Sequence, residues 1–522
     1  MDMPATKRYV ITLPPPTPNG GLHLGHLSGP FLAGDILARA ARLRGEESFV
    51  TCYSDVNQSY VRVTAGRQGV DPHTLASQWT TQIGRTLSAC NIAVDDYYAP
   101  DEEANQFVRN LFLALYQEGV LVKKPYPFFR ERVTGQLLDE AGVSGFCPHC
   151  LAACKCGICE ACGKLTSALD LLDPRNTLSG LRDLEVVWLE VMVVELERYR
   201  QSITAFYEHA KHFRQRYLWL VEDALNGPLP DFPVSVPSSW GIAVGLDGFE
   251  GQMFNPWPEI MAQLIHSYRR AEHTQVSNLP VHYVNFFGYD NSYFYAILHV
   301  ALLSQIDNGK WLPDVTLINE FYNLDHAKFS TSNGHVIWAD DSVERYSADE
   351  LRFYSALNCP GFEKSNYNEG AMVAALDKSL HQLWRKVAEK FNAALAGATA
   401  AQFQGVCSDS VLQVATSAEN TILRSMTVER FHVRQAAEDC LHLLTWINHA
   451  LDQPNTVLID VVQLLAAFAR GSHPLMPHGS NLLHQALYGV AIGMEIPKEG
   501  LLPQSLDIEL FRQEATCEVS HV

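Results

Sequence analysis

Basic residues are scarce in this chain. Against 58 Asp and Glu it has 39 Lys and Arg, a net charge of −19, which excludes a broad electrostatic grip on nucleic acid but not a local basic track. No apolar run approaches the roughly 20 residues that span a bilayer, so no membrane partner is expected. Met1 to Arg8 hold no apolar signal core before the chain enters Tyr9-Val10-Ile11-Thr12-Leu13; export is not expected, and a cytoplasmic location is. Internal repeats and low-complexity tracts are absent, which excludes solenoids and long linkers. Cysteine is sparse outside one stretch: of twelve, six (Cys147, Cys150, Cys154, Cys156, Cys159 and Cys162) crowd together. A secreted disulfide framework would spread its cysteines, so the clustering points to metal.

What is present reads as an α/β enzyme. At 522 residues the chain is too long for one core and suggests three or four packed units. Residues 8–13 form a short buried strand, followed by the loop Pro14 to Gly21 and an apolar-periodic helix from near His23 through Ile36 to Ala40. A strand over Ser48–Tyr53 and helices over 74–90 and 103–120 continue the alternation of a parallel sheet. A helical stretch of about 180–226, rich in Leu, Glu and Arg, follows the cysteine segment. A second α/β half opens near residue 236, with a strand over 281–287 ending at Gly288, a helix over 291–305 and a strand at 315–319. Beyond about 370 the pattern is helical, with breaks at Gly397, Pro454 and Pro474–Pro477, and Thr516 to Val522 are expected to be a tail.

The segment Pro18-Asn19-Gly20-Gly21-Leu22-His23-Leu24-Gly25-His26 sets two imidazoles at a helix N-terminus directly after a strand. Free N–H groups and the positive end of the helix dipole favour a polyphosphate there. Gly25, lacking a Cβ, lets a flat base lie against the backbone, and His23 and His26 can donate to phosphate oxygens as charge develops. About 300 residues on stand Ala327-Lys328-Phe329-Ser330-Thr331-Ser332 and then Ala348-Asp349-Glu350-Leu351-Arg352-Phe353-Tyr354, with Asn285-Phe286-Phe287-Gly288-Tyr289-Asp290 between. These segments resemble the HIGH, KMSKS, AD-x-LR-x-Y and HF-x-GKD signatures of class I aminoacyl-tRNA synthetases, over roughly residues 8 to 370. The chain has no room for the editing insertion of the valine, isoleucine and leucine enzymes, and its cysteine segment looks like the knuckle of the methionyl type.

That resemblance implies a Rossmann-type parallel sheet in two halves (1–118 and 236–325), an inserted connective domain with a zinc knuckle (119–235), a KMSKS-like stem-contact region (326–370) and a C-terminal α-helical bundle (371–522). It implies ATP and Mg2+ as cofactors, with His23, His26 and Lys328 catalytic and Gly25, Gly288, Asp290, Ser330, Thr331 and Ser332 around the nucleotide. Leu13, Asp55, Trp257 and Asn285 match positions that hold the amino acid, Asp55 taking its α-ammonium. Cys147-x-x-Cys150 and Cys159-x-x-Cys162 have the spacing of a tetrahedral Zn2+ site, which would fold a module poor in apolar residues; Cys154 or Cys156 could replace a member of either pair.

The chain also departs from its family. Thr331 replaces the second KMSKS lysine and Tyr289 the GKD lysine. Each lost charge-assisted hydrogen bond is worth roughly 1.5–3 kcal/mol, on the order of 10–100-fold in rate. Asn285 stands where the resemblance places a histidine, which suits a more polar amino-acid side chain. In the first bundle helix, Lys386 and Lys390 occupy the expected Asn and Arg positions, and lysines read bases poorly. Trp384 and Trp446 read as core residues. The expected activity is formation of aminoacyl-AMP and transfer to tRNA; a tRNA-independent ligase acting on a small-molecule amine and a non-catalytic regulator are the alternatives.

Overall fold

The computed structural model describes residues 7–209, 212–274, 278–329, 334–403, 406–494 and 503–512. At its centre is a five-stranded parallel sheet formed by β1 (Arg8–Thr12), β2 (Glu47–Tyr53), β3 (Asp96–Tyr98), β6 (Val281–Gly288) and β7 (Val315–Asn319), in the order β7-β6-β1-β2-β3. The order reverses between β1 and β6, which pair from Arg8↔Val281 to Thr12↔Asn285. The crevice beyond the carboxyl ends of two such strands is where open parallel sheets bind ligands.

Pleating sorts the strand residues by face. Tyr9, Ile11 and Leu13 join Val284 and Phe286 in one core, while Val10 joins Tyr283 and Phe287 in the other. The first core is closed by α1 (Leu32–Leu43), which is reached through one turn at Leu24–His26 and a π-turn at Leu27–Phe31. The single helix expected from His23 to Ala40 is thus broken: Pro30 lies inside it, and Gly29 leaves helical geometry at φ −93, ψ −119. The second core is closed by α3 (Pro256–Thr274).

The connective insertion corrects the sequence reading. Of the stretch read as helical from 180, residues Leu184–Glu195 are β5, paired antiparallel with β4 (Val122–Glu131) from Val122↔Val193 to Glu131↔Leu184. Its valines at 186, 187, 191, 193 and 194 fit a pleated, half-buried surface better than a helix. Helix resumes at Arg200–His209 and in α2 (Gln215–Asn226).

After β7 the chain makes the hairpin β8 (Tyr322–Leu324) and β9 (Ala327–Lys328), then α4 (Ala348–Leu357). The C-terminal helices are α5 (Gln382–Ala396), α6 (Asp409–Arg424), α7 (Val433–Ala450), α8 (Leu458–Ser472) and α9 (Pro477–Tyr488), with the expected breaks at Gly397, Pro454 and Pro474–Pro477. Trp384 is buried in this bundle, but Trp446 is 41% exposed and is not a core residue. The expected tail, Thr516 to Val522, lies outside the described residues. Among the described residues no helix is long and apolar enough to cross a membrane.

Candidate active site

The two signature segments meet. Leu24 N–H donates to the Ile337 carbonyl (3.1 Å) and Ala339 N–H to the Leu22 carbonyl (2.9 Å), with His23 bridged to Trp338 between them. The His23 ring stacks on His26 at 3.6 Å on one side and on Phe329 at 4.7 Å on the other. Lys328, beside Phe329, therefore stands at the edge of the first motif. Gly25 makes this approach possible: a Cβ there would lie 3.0 Å from the His23 ring and 3.1 Å from Phe329. Ser330, Thr331 and Ser332, expected to contact the nucleotide, lie outside the described residues.

The histidines are held in one tautomer. His23 Nδ1 accepts from His26 N–H and His26 Nδ1 from His23 N–H, both at 3.3 Å, a reciprocal cap of the short turn. Burial, with the charges of His26 and Lys328 added, lowers His23 to about 2. His26, whose edge opens to solvent, is shifted below the ordinary 6.5 by the partial burial of its ring. Both imidazoles are neutral at physiological pH, and with Nδ1 accepting, Nε2–H is left as a donor.

Gly288 and Asp290 lie at the end of β6, and a Cβ on Gly288 would fall 2.6 Å from Asp290 Oδ1. Burial raises Asp290 to about 6, Glu160 adding to the rise and Lys328 opposing it. Tyr289, in the place of the family lysine, turns to the connective insertion: its ring lies 3.8 Å under the Arg216 guanidinium, and its hydroxyl faces Gly163. Arg216 is itself paired with Glu320, so it does not replace the missing lysine. Lys328 forms an ion pair with Glu160. Burial works to lower its pKa, but Glu160 and Asp290 outweigh it and the net shift is upward.

The positions matched to the amino acid divide. Asp55, just past β2, is 4% exposed, and burial raises it to about 7 against a weak bond from Gln58 at 3.4 Å. Trp257 stacks on Phe294 at 3.8 Å and donates from Nε1 to Glu140 at 2.6 Å. Leu13 points to the other face of the sheet, packed where a Cβ on Gly34 would meet it at 2.3 Å. Asn285 is buried below the strand end, its Oδ1 accepting from Thr12 (2.7 Å) and Tyr268 (2.6 Å). Three residues that the sequence reading missed stand around Asp55, namely Tyr53, Glu259 and Tyr295, and a fourth, Gln263, stands beside Glu259. Glu259 is raised to about 8 by burial and then by Asp55, opposed by Asn57, which donates to it at 2.7 Å, and by the neighbouring Gln263 amide. The signal was an acid and an amide one turn apart on the apolar face of α3.

In the knuckle, the sulfurs of Cys147, Cys150, Cys159 and Cys162 all lie within 4.8 Å of one another, with Cys147–Cys162 at 3.8 Å and Cys150–Cys159 at 3.6 Å. Four ligands about 2.3 Å from a tetrahedral zinc are separated by about 3.8 Å, so the donor set fits that ion. Cys154 and Cys156 pack instead against the small core of Phe129, Leu138 and Val143. In the bundle, Lys390 pairs with Asp452 at 2.6 Å, and Lys386 is exposed.

A family model described as tRNA synthetases class I (M) matches residues 9–391. The chain belongs to that family. The methionine–tRNA ligase of Bacillus cereus (strain AH187) is 30% identical over 357 residues, which span 66% of this chain and 65% of that relative. The corresponding ligase of Bacillus mycoides (strain KBAB4) is 25% identical across 97% of this chain and 96% of its own length. Among solved structures, the Mycobacterium tuberculosis methionyl-tRNA synthetase bound by methionyl-adenylate has the same fold, with a TM-score of 0.74 over 96% of this chain and 99% of its own at 16% identity. This class I synthetase therefore has the parallel sheet of that fold together with a cluster of four knuckle cysteines.

Proposed function

We propose that the chain uses ATP to convert an amino acid to aminoacyl-AMP and then passes the aminoacyl group to tRNA. The observation that carries this reading is the stack of His23 between His26 and Phe329, which sets Lys328 beside two neutral imidazoles. Gly25, Gly288 and Asp290 bound the adenosine end, with Ser330, Thr331 and Ser332 assigned to the phosphates from their sequence alone. The amino-acid carboxylate attacks the α-phosphorus; a phosphorus–oxygen bond forms, the bond to the bridging oxygen breaks, and pyrophosphate leaves with the electron pair. The Nε2–H groups of His23 and His26 and the ammonium of Lys328 meet the negative charge that builds on the phosphate oxygens. Magnesium arrives with the nucleotide, and no residue is assigned to it. Zinc on Cys147, Cys150, Cys159 and Cys162 would hold the knuckle that carries Glu160.

Asp55 binds the α-ammonium, for which it needs its ionised form, and Trp257 forms a wall. Among the described residues, Tyr53 Oη and His299 Nδ1 are buried with no hydrogen-bond partner, and Glu259 Oε2 and the Gln263 amide have at most each other. Such groups are paired in native proteins, so we read the pocket as made for a side chain that carries hydrogen-bonding groups. A cavity of about 940 Å³ between the knuckle and α2, reaching Trp219 and Tyr289, gives room for an acceptor end.

Amino-acid-dependent ATP–pyrophosphate exchange over a panel that includes methionine, followed by transfer assays with tRNA and with small amines, tests each part. The reading expects exchange with a polar amino acid above that with methionine, and label transferred to tRNA. Exchange with transfer only to an amine would replace the acceptor, and preference for methionine would refute the pocket assignment.

A further inference from the structure

A second cavity, of about 180 Å³, lies where the first-motif helix start, the end of β7 and the loops 359–363 and 431–434 meet. None of His23, His26, Lys328 and Asp290 lines it. Its chemistry is set by two arginines. Nε and Nη1 of Arg214 and Nε of Arg434 are buried and have no hydrogen-bond partner among the described residues.

The rest of each guanidinium is fixed. Arg214 donates from Nη2 to the Phe431 carbonyl at 3.2 Å and lies 3.8 Å over the Phe362 ring. Arg434 donates to the Cys359 carbonyl at 3.1 Å and to Glu363 at 3.2 Å. Neither charge is well met by protein. The Glu363 side chain is 72% exposed, and a pair to such a group contributes little. Glu320, the other carboxylate nearby, is taken by Arg216. Burial pulls Arg214 down to about 10, with Cys359 and Glu320 opposing, as expected of a cation short of a partner. In a chain of net charge −19, two half-buried arginines that line one cavity, with part of each guanidinium sequestered from solvent, are out of keeping with the rest of the molecule. A cation short of a partner is unfavourable inside a protein, and an anion set between the two guanidiniums answers both charges.

We propose that this cavity is a binding site for a phosphate group, clasped between Arg214 and Arg434. The planar guanidinium fork matches phosphate oxygens two at a time. The volume admits a phosphate group with some water. The N-terminus of α7, an 18-residue helix starting at Val433, opens on the same space and adds its dipole to the field. The occupant could be free phosphate or the pyrophosphate that adenylation releases; the shared chemistry is the phosphoryl oxygens.

Cys359 lines the cavity and is a free thiol of intermediate exposure, as is Cys407 outside it. Alkylation of the full chain, followed cysteine by cysteine by peptide mass spectrometry, therefore reports occupancy locally. Inorganic phosphate is expected to slow modification of Cys359 several-fold relative to chloride at equal ionic strength, and to leave Cys407 unchanged. Pyrophosphate in a parallel series shows which of the two sources binds more tightly. Arg214→Met and Arg434→Met should each abolish the protection. Phosphate should also raise the Tm of the wild type and not of Arg214→Met, which without phosphate should be no less stable than wild type. If neither anion protects Cys359 in the wild type, or if both variants are protected as well as it is, the site does not exist.

Discussion

Asp55 has no cation beside it among the described residues, and its free energy depends on pH in a definite direction. Its folded value of about 7 stands above the 3.8 of an ordinary aspartate. Between those values the folded chain holds a proton that the unfolded chain has released, so stability falls as pH climbs from about 4 to about 7. Glu259, raised from 4.5 to about 8, acts in the same direction. Asp55→Asn should therefore raise Tm at pH 8 while it lowers amino-acid-dependent adenylation by about 10–100-fold, the value of a lost charged contact. Parallel melting curves and exchange rates check both; a variant less stable than wild type at pH 8 would contradict the account. Gly25→Ala presses a methyl group on His23 and Phe329 at 3.0 and 3.1 Å, and should lower kcat for exchange more than it changes KM for the amino acid. His23, Gly25 and Asp55 could be read from the sequence because they sit in short segments of fixed order. Glu259 and Tyr295 could not, because a helix-borne acid declares itself only once the sheet end beside it is known.

Between elements, the decisive contact joins the knuckle to the hairpin β8–β9, where Glu160, set between the clustered Cys159 and Cys162, holds Lys328. The two side chains are half-exposed, at 53% and 52%, so the pair is worth about 0.5–1 kcal/mol, or about two- to five-fold in an equilibrium. Glu160→Gln should lower KM for ATP by that factor with zinc content unchanged, measured by exchange kinetics beside metal analysis; an unaltered KM would make the contact incidental. A strong chelator should release about one zinc per chain and lose the knuckle's ordered structure, detectable by hydrogen exchange over residues 143–176, before the parallel sheet opens. The cysteine pairs were legible because metal spacing is local. The strand at Leu184–Glu195 was not: its Leu and Glu suit a helix, and only its ladder with Val122–Glu131 decides the matter.

Across the whole molecule, one buried ion cluster ties the catalytic sheet to the helical bundle. Asp35 on α1 takes Arg39 at 2.9 Å and Arg352 of α4 at 2.6 Å. Arg352 also donates to the carbonyls of Asn91, Pro474 and Leu475. Burial would raise Asp35, but Arg352 and Arg39 outweigh it and hold it below 3.8; its contribution is thus present above that pH and lost on acidification through the lowered value. Arg352→Met leaves Asp35 with Arg39 alone and unpairs the Pro474 and Leu475 carbonyls, and should cost about 2–3 kcal/mol, read as a fall in the denaturant midpoint. The sequence carried the order of the parts, since the signatures are spaced by the fold they build. It did not carry the division of Leu13 and Asp55 between opposite sides of the site, because that depends on the pleat of a sheet assembled from distant segments. The central claim is that two motifs some 300 residues apart act together on one nucleotide. It is tested most directly by amino-acid-dependent ATP–pyrophosphate exchange in the wild type, His23→Ala, Lys328→Ala and the double variant. The account predicts measurable exchange in the wild type, a large loss in each single variant and a further loss in the double variant well short of the product. Absent exchange in the wild type, or single losses that simply multiply, would contradict it.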